Sequence, residues 1–170
     1  MIEFGVIIEA RMLSKRLPGK VLKKIDKLTI LEILIKSLET SKNLDKIIVA
    51  TTLNKKDDKI CDLLKKKNIS YYRGSENNVF ARVLGCAKKN SIKNIIQVTS
   101  DQPLIYGSMI DRFIKIFKNN RLEFLTNNYL KSYPKGMYVN IIQTKLLNSI
   151  KSKIKSKKEK EHLTYYLMKN

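Results

Sequence analysis

Short apolar runs alternate along this chain with longer segments whose apolar residues recur at every third or fourth position, and that alternation leaves few folds open. The run at 4–8 is bounded by a polar loop, as a buried strand requires. Similar runs at 46–50, 70–72, 94–99 and 123–126 predict further strands. Between them, Leu31, Leu34, Ile35 and Leu38 give the segment 28–38 the core-facing side of a helix, and Ile60, Leu63 and Leu64 do the same for 57–67. Segments 79–88 and 108–117 also read as helices. The repeat unit is roughly 20 to 25 residues and the strands are mostly apolar throughout, so the expected class is α/β, a parallel or mixed sheet covered by helices on both faces. In such a sheet, ligands bind beyond the carboxyl ends of the strands.

The 170 residues, 43% of them apolar, suffice for one domain with a substantial core. A lysine-rich linker near 150–160 followed by a short C-terminal helix over 161–168 completes the expected organisation. The first apolar run is broken by Glu3 and is too short for the core of a signal peptide. No run approaches the ~20 residues of a membrane span, so the expectation is a cytoplasmic protein with no membrane partner. Cys61 and Cys86 lie in lysine-flanked helical patterns without partner ligands at metal spacing, and are expected as buried thiols.

The formal charge of +20 attracts polyanions, but 29 of the 35 cations are lysines scattered over nearly every helix, so a dedicated nucleic-acid surface is not expected. The six arginines are more informative, because the guanidinium fork has a bidentate geometry that lysine lacks. Four of them fall in polar clusters that follow strands.

The first cluster is the stretch EARMLSKRLPGKVL, residues 9–22. A loop leaving the end of a first strand can curl amides and cations around phosphates, with Arg11, Ser14, Lys15, Arg16 and Lys20 as donors. Pro18 and Gly19 set a turn and permit close backbone approach. The spacing matches neither the P-loop nor the GxGxxG fingerprint. A second cluster places Arg73, Gly74 and Ser75 before a helix bearing Arg82; on residues alone, Ser75 could equally be a helix cap and Arg82 a surface cation. The third, Gln97 to Pro103, sets Asp101 at a strand's carboxyl end, where a carboxylate can ligate Mg²⁺ against phosphate oxygens or simply form a turn. Tyr133-Pro134-Lys135-Gly136 marks a turn, with a strand expected to begin at Met137.

The run IIEARMLSKRLPGKVLKKI, followed in order by DKIIVAT, YYRGSENNVFAR, IIQVTSDQPLI, YPKGMYVNI and EKEHLT, resembles the cytidylyltransferases that activate acidic sugars. The likeness is strongest to the spore-coat polysaccharide branch, with the acylneuraminate and 3-deoxy-manno-octulosonate enzymes as relatives. It covers essentially the whole chain and implies a nucleotide-diphospho-sugar transferase-like fold, Mg²⁺ as cofactor, CTP and an acidic sugar as substrates, and a homodimer. By that resemblance Arg11, Ser14, Arg16 and Lys20 grip the triphosphate, and Arg11, Lys20 and Asp101 carry the catalysis, with Asp101 holding the metal. Arg73 and Gln97 fall near the nucleotide, while Arg82, Tyr138, Asn140 and His162 fall near the sugar.

The chain also departs from the pattern. Leu13 stands where the family usually has glycine, Ser100 and Gln102 vary around Asp101, and Tyr138 and Asn140 occupy positions that are Asp and Glu in the spore-coat branch. Relatives continue past the block at 161–164 with a late segment supplying another carboxylate, so the resemblance implies a C-terminally shortened fold. No strong general base stands out. The function implied is CMP transfer from CTP to a sugar acid with release of pyrophosphate; the alternative is a degenerate nucleotide-binding or scaffold relative.

Overall fold

The computed structural model describes residues 1–14, 17–130 and 133–170. Its centre is a six-stranded mixed sheet built from β1 (Ile2–Glu9), β4 (Lys46–Thr52), β5 (Tyr71–Gly74), β6 (Ile92–Thr99), β7 (Phe124–Thr126) and β8 (Asn140–Gln143), in the order β5-β4-β1-β6-β8-β7. The strands β5, β4, β1 and β6 run parallel, and β8 runs antiparallel to both β6 and β7. A separate hairpin pairs β2 (Lys24–Ile25) with β3 (Leu28–Thr29). This is the α/β class that the alternation predicts.

β1 shows why the strand runs are uninterrupted. Phe4, Val6 and Ile8 pack into the core on one face while Ile7 packs into that on the other, so neither face can be polar. The first core is closed by α1 (Ile30–Leu38), α2 (Asp58–Lys66) and α4 (Gly107–Asn119) through Leu34, Leu38, Leu64 and Phe113. The second is closed by α3 (Val79–Lys89) and α5 (Thr144–Ile150) through Val83, Leu84 and Leu147. Fully burying each such side chain contributes about 1.5–3 kcal/mol. Helix α1 begins at a reciprocal cap in which Thr29 and Glu32 satisfy each other's backbone amides. Asn78 caps α3, leaving Ser75 one turn upstream rather than at the cap position.

Two stretches differ from expectation. The strand after the Pro134 turn begins at Asn140 and not at Met137, because the side chain of Asn127 intercepts the backbone: its Oδ1 accepts from Val139 N at 2.9 Å and its Nδ2 donates to Met137 O at 2.8 Å. The lysine-rich segment 150–160 holds a 3₁₀ turn over Lys151–Lys153 and the short helix α6 (Lys157–Glu161), which Ser156 and Glu159 cap reciprocally. Ile154 is buried between them, anchoring the segment to the second core. The last helix is α7 (Tyr165–Lys169). Both cysteines are free and buried as expected. Among the described residues no helix is long and apolar enough to cross a membrane.

The chain steps from β1 outward through β4 to β5, then crosses back to place β6 on the other flank of β1. Strand order therefore reverses between β1 and β6. In sheets of this kind, the crevice beyond that reversal is where ligands bind.

Candidate active site

A cleft of about 420 Å³ opens at that crevice. The end of β1 contributes Glu9, the loop after it contributes Arg11, Ser14 and Lys20, and the end of β6 contributes Asp101. Arg82 enters from α3, and Glu161 and His162 from the end of α6. A second cleft of about 450 Å³ shares Arg11 and Glu161 with it and extends past Asn77 to Lys157 and Lys160.

The loop after β1 is held at both ends. Met12 N donates to Asp57 Oδ1 at 2.7 Å, and the other oxygen of this buried carboxylate collects the hydroxyls of Thr51 and Thr52 at the end of β4. Gly19 closes the loop by donating to Met12 O at 2.8 Å, with φ of 70°. That left-handed conformation is the one glycine adopts without penalty. Val21, buried one residue beyond Lys20, ties the far end to the core. Leu13 is exposed. Arg16 and Lys15, expected among the phosphate donors, lie outside the described residues.

Lys20 reaches across the cleft to an ion pair with Asp101, whose other oxygen accepts from Thr99 Oγ1 at 2.7 Å. Burial alone pushes the Asp101 carboxyl up, but the hydrogen bonds from Lys20 and Thr99 prevail and hold it below the usual carboxylate range. It is thus an ionised carboxylate at the cleft rim. Glu9 behaves oppositely: burial raises its carboxyl above the ordinary value, against the hydrogen bond from Gln97 and the charges of Arg82 and Arg11. Arg82 is only 2% exposed, so the reading of it as an ordinary surface cation fails. Its Nη1 donates to Ser75 O, and the strongest charge compensating its burial is Glu9.

The structure therefore gathers Arg11, Ser14, Lys20, Arg82, Asp101 and His162 in one cleft, although they come from four separate parts of the sequence. Arg73 is not with them. Its guanidinium pairs with Asp58 at 2.7 Å and donates to Thr52 O at 2.8 Å and Asn54 O at 3.0 Å, fastening the end of β4 to the start of α2. Three of its five N–H donors are taken by two backbone carbonyls and a carboxylate. Gln97 and Asn140 lie one layer below the cleft, where Asn140 Nδ2 donates to Gln97 Oε1 and Gln97 Nε2 donates to Glu9 Oε1. Tyr138 is not among the described residues that line the cleft. Among the described residues no group of three or more His, Cys, Asp or Glu could enclose a metal by itself.

Sequence reasoning missed Glu9, Asp57 and Glu161. For Glu9 the signal was present: a carboxylate closing an apolar strand run, two residues before Arg11. Asp57 offered none, since an aspartate opening a helix is common.

A doubly wound sheet with cations and the Asp101 carboxylate converging at its switch point fits an α/β protein of the nucleotidyltransferase kind. Residues 5–168 match the sequence model of the family described as cytidylyltransferase, and the chain belongs to that family. It is 35% identical over 164 residues to an uncharacterized protein of Methanocaldococcus jannaschii, covering 96% of this chain and 66% of that one. To the spore coat polysaccharide biosynthesis protein SpsF of Bacillus subtilis it is 29% identical over 167 residues, covering 95% and 68%. To the 3-deoxy-manno-octulosonate cytidylyltransferase of Fusobacterium nucleatum it is 36% identical over 122 residues, covering 70% and 48%. The chain thus spans between about half and two thirds of the length of these relatives. Among solved structures, a cytidylyltransferase from Leptospira borgpetersenii superposes with a TM-score of 0.95 at 35% identity, covering all of this chain and 72% of that one. A CMP:2-keto-3-deoxy-manno-octonic acid synthetase complexed with CTP shares the fold at a TM-score of 0.77 and 15% identity, covering 98% and 86%.

Proposed function

We propose that this protein transfers CMP from CTP to a hydroxyl of an acidic sugar and releases pyrophosphate. The observation that carries the reading is the convergence of Arg11, Ser14 and Lys20 on Asp101 at the switch point. Arg11, Lys20 and the Ser14 hydroxyl bind the triphosphate oxygens and neutralise charge developing on the leaving pyrophosphate. Asp101 is the residue that would hold Mg²⁺ jointly with phosphate oxygens. A single ionised carboxylate fits that ion, which commonly takes one or two carboxylates and leaves its remaining positions to phosphate and water. Bound there, Mg²⁺ supplies charge neutralisation on the transferring phosphoryl group. The buried cation of Arg82 suits an acidic acceptor, and His162 closes the rim beside it.

The test is a panel of sugar acids with CTP and Mg²⁺, reading pyrophosphate release, alongside CTP, ATP and GTP titrations by calorimetry. CTP-selective, Mg²⁺-dependent binding with turnover on at least one acid is the expected result. Equal response to all three triphosphates would reduce the cleft to a nonspecific polyanion site. Tyr138 and Asn140, at positions that are acidic in the spore-coat branch, favour a second reading, a relative that binds nucleotide without transfer, and CTP-selective binding with no turnover on any acid would establish it. A homodimer is part of the same proposal, and sedimentation velocity measures it.

A further inference from the structure

Glu9 and Arg82 line the same cleft, and among the described residues no ion pair joins them. Glu9 is fixed from below through one oxygen only, Oε1, which accepts from Gln97 Nε2 at 2.7 Å. Gln97 is fixed in turn by Asn140, so a hydrogen-bonded chain runs from β8 through β6 to the end of β1 and sets the orientation of the carboxylate. Among the described residues no hydrogen bond or ion pair reaches Glu9 Oε2, although Arg82 and Arg11 are near enough for their charges to act on it.

Across the gap, the Nε of the 2%-exposed Arg82 is buried with no hydrogen-bond partner among the described residues. A buried donor left unpaired costs about 1–3 kcal/mol. A solvent-reachable acceptor and a buried donor, held by separate elements and bonded to no described residue, describe a seat that a ligand completes. The ligand must present an acceptor to Arg82 and a proton donor to Glu9. Phosphate oxygens satisfy only the first. A carboxylate with a hydroxyl nearby satisfies both.

Resting on the cytidylyltransferase reading, we propose that Glu9 is a further catalytic residue: its Oε2 takes the proton of the acceptor hydroxyl as that hydroxyl attacks CTP, while Arg82 holds the acceptor's carboxylate. The hydroxyl oxygen forms a bond to the α-phosphorus. The bond from that phosphorus to the bridging oxygen of the leaving group breaks, and its electron pair departs on pyrophosphate. The hydroxyl proton passes to Glu9 and from there to solvent. The upward displacement of the Glu9 carboxyl by burial makes it a stronger base than an exposed glutamate, which suits the role.

The experiment compares the parent with Glu9→Gln and Glu9→Asp in steady-state turnover with the sugar acid the parent uses, and measures CTP affinity of each by calorimetry. Gln keeps the oxygen that Gln97 bonds and removes the base, so kcat should fall about 100-fold with the CTP Kd held within about threefold. Asp keeps the charge at a shorter reach and should fall between the two. Turnover by Glu9→Gln within threefold of the parent overturns the role, as does a loss expressed mainly in CTP affinity, which would place Glu9 on the nucleotide. If Glu9→Gln loses CTP binding and turnover together, Glu9→Asp decides: normal CTP affinity with lowered kcat upholds the role, and joint loss overturns it. Failure of the parent itself on every acid refutes the functional assignment and the role of Glu9 with it, whereas parent turnover with an unimpaired Glu9→Gln removes the Glu9 role alone.

Discussion

Replacing Asp101 by Asn removes one of the two charges that meet in the cleft. The side chains of Lys20 and Asp101 are 24% and 40% exposed, so their pair is partly solvated and contributes at most about 1 kcal/mol to folding. Urea unfolding of Asp101→Asn should therefore stay within about 1 kcal/mol of the parent. The effect on binding is larger and has two signs. Without a divalent ion, Lys20 no longer has to leave a carboxylate to reach phosphate, so CTP in EDTA should bind as well as to the parent or better. With Mg²⁺, the variant lacks the hard anionic oxygen that shares the ion with the triphosphate. The enhancement of CTP affinity by Mg²⁺ should then shrink at least tenfold, about 1.4 kcal/mol. Paired calorimetric titrations with Mg²⁺ and with EDTA, on parent and variant, give all four affinities. If the Mg²⁺ enhancement survives the substitution intact, Asp101 is a turn residue partnered by a lysine, and the metal assignment is wrong.

Arg73→Ala should destabilise the fold by about 1–3 kcal/mol in chemical denaturation, because it releases Asp58 and two carbonyls at the end of β4, yet leave CTP affinity within twofold; a selective loss of CTP binding would return Arg73 to the nucleotide site. Arg11→Ala and Lys20→Ala should each weaken CTP binding tenfold or more while the exposed Lys65→Ala and Lys88→Ala change it less than twofold, and equal losses from all four would mean that diffuse charge explains the binding. Acid stability should follow Asp111 and Glu32, whose carboxyls are held below their ordinary values by hydrogen bonds that outweigh burial: Ser41 and the amides of Lys42 and Asn43 for the first, Thr29 and Lys67 for the second. A carboxyl lowered on folding stabilises above its unfolded value, about 4, and that stability is lost as pH falls through the lowered folded value. Thermal midpoints should thus decline below pH 4 in the parent, and the decline should flatten in Asp111→Asn; an unchanged slope would contradict the assignment.

The class of fold was legible in the sequence because a strand covered on both faces has to be apolar at every position, as Val6, Ile7 and Ile8 are, and because a helix covered on one face repeats as Leu31, Leu34, Ile35 and Leu38 do. Arg11, Lys20 and Asp101 were legible for a related reason: charge concentrated just after an apolar strand marks the open end of a sheet. What the one-dimensional pattern lacks is register and order among strands. The ion pair of Lys20 with Asp101 spans 81 positions, and the bond from Gln97 to Glu9 spans 88. Both exist only because β6 lies beside β1. The same placement of β4 and β5 at the other flank draws Arg73 away to Asp58, and an asparagine side chain at 127 delays the start of β8 to Asn140. Burial is likewise a property of the assembled sheet: the sequence offers Arg82 as one cation among 35, and only the packing of α3 over the ends of the strands makes it the desolvated cation at the bottom of a cleft, opposite Glu9.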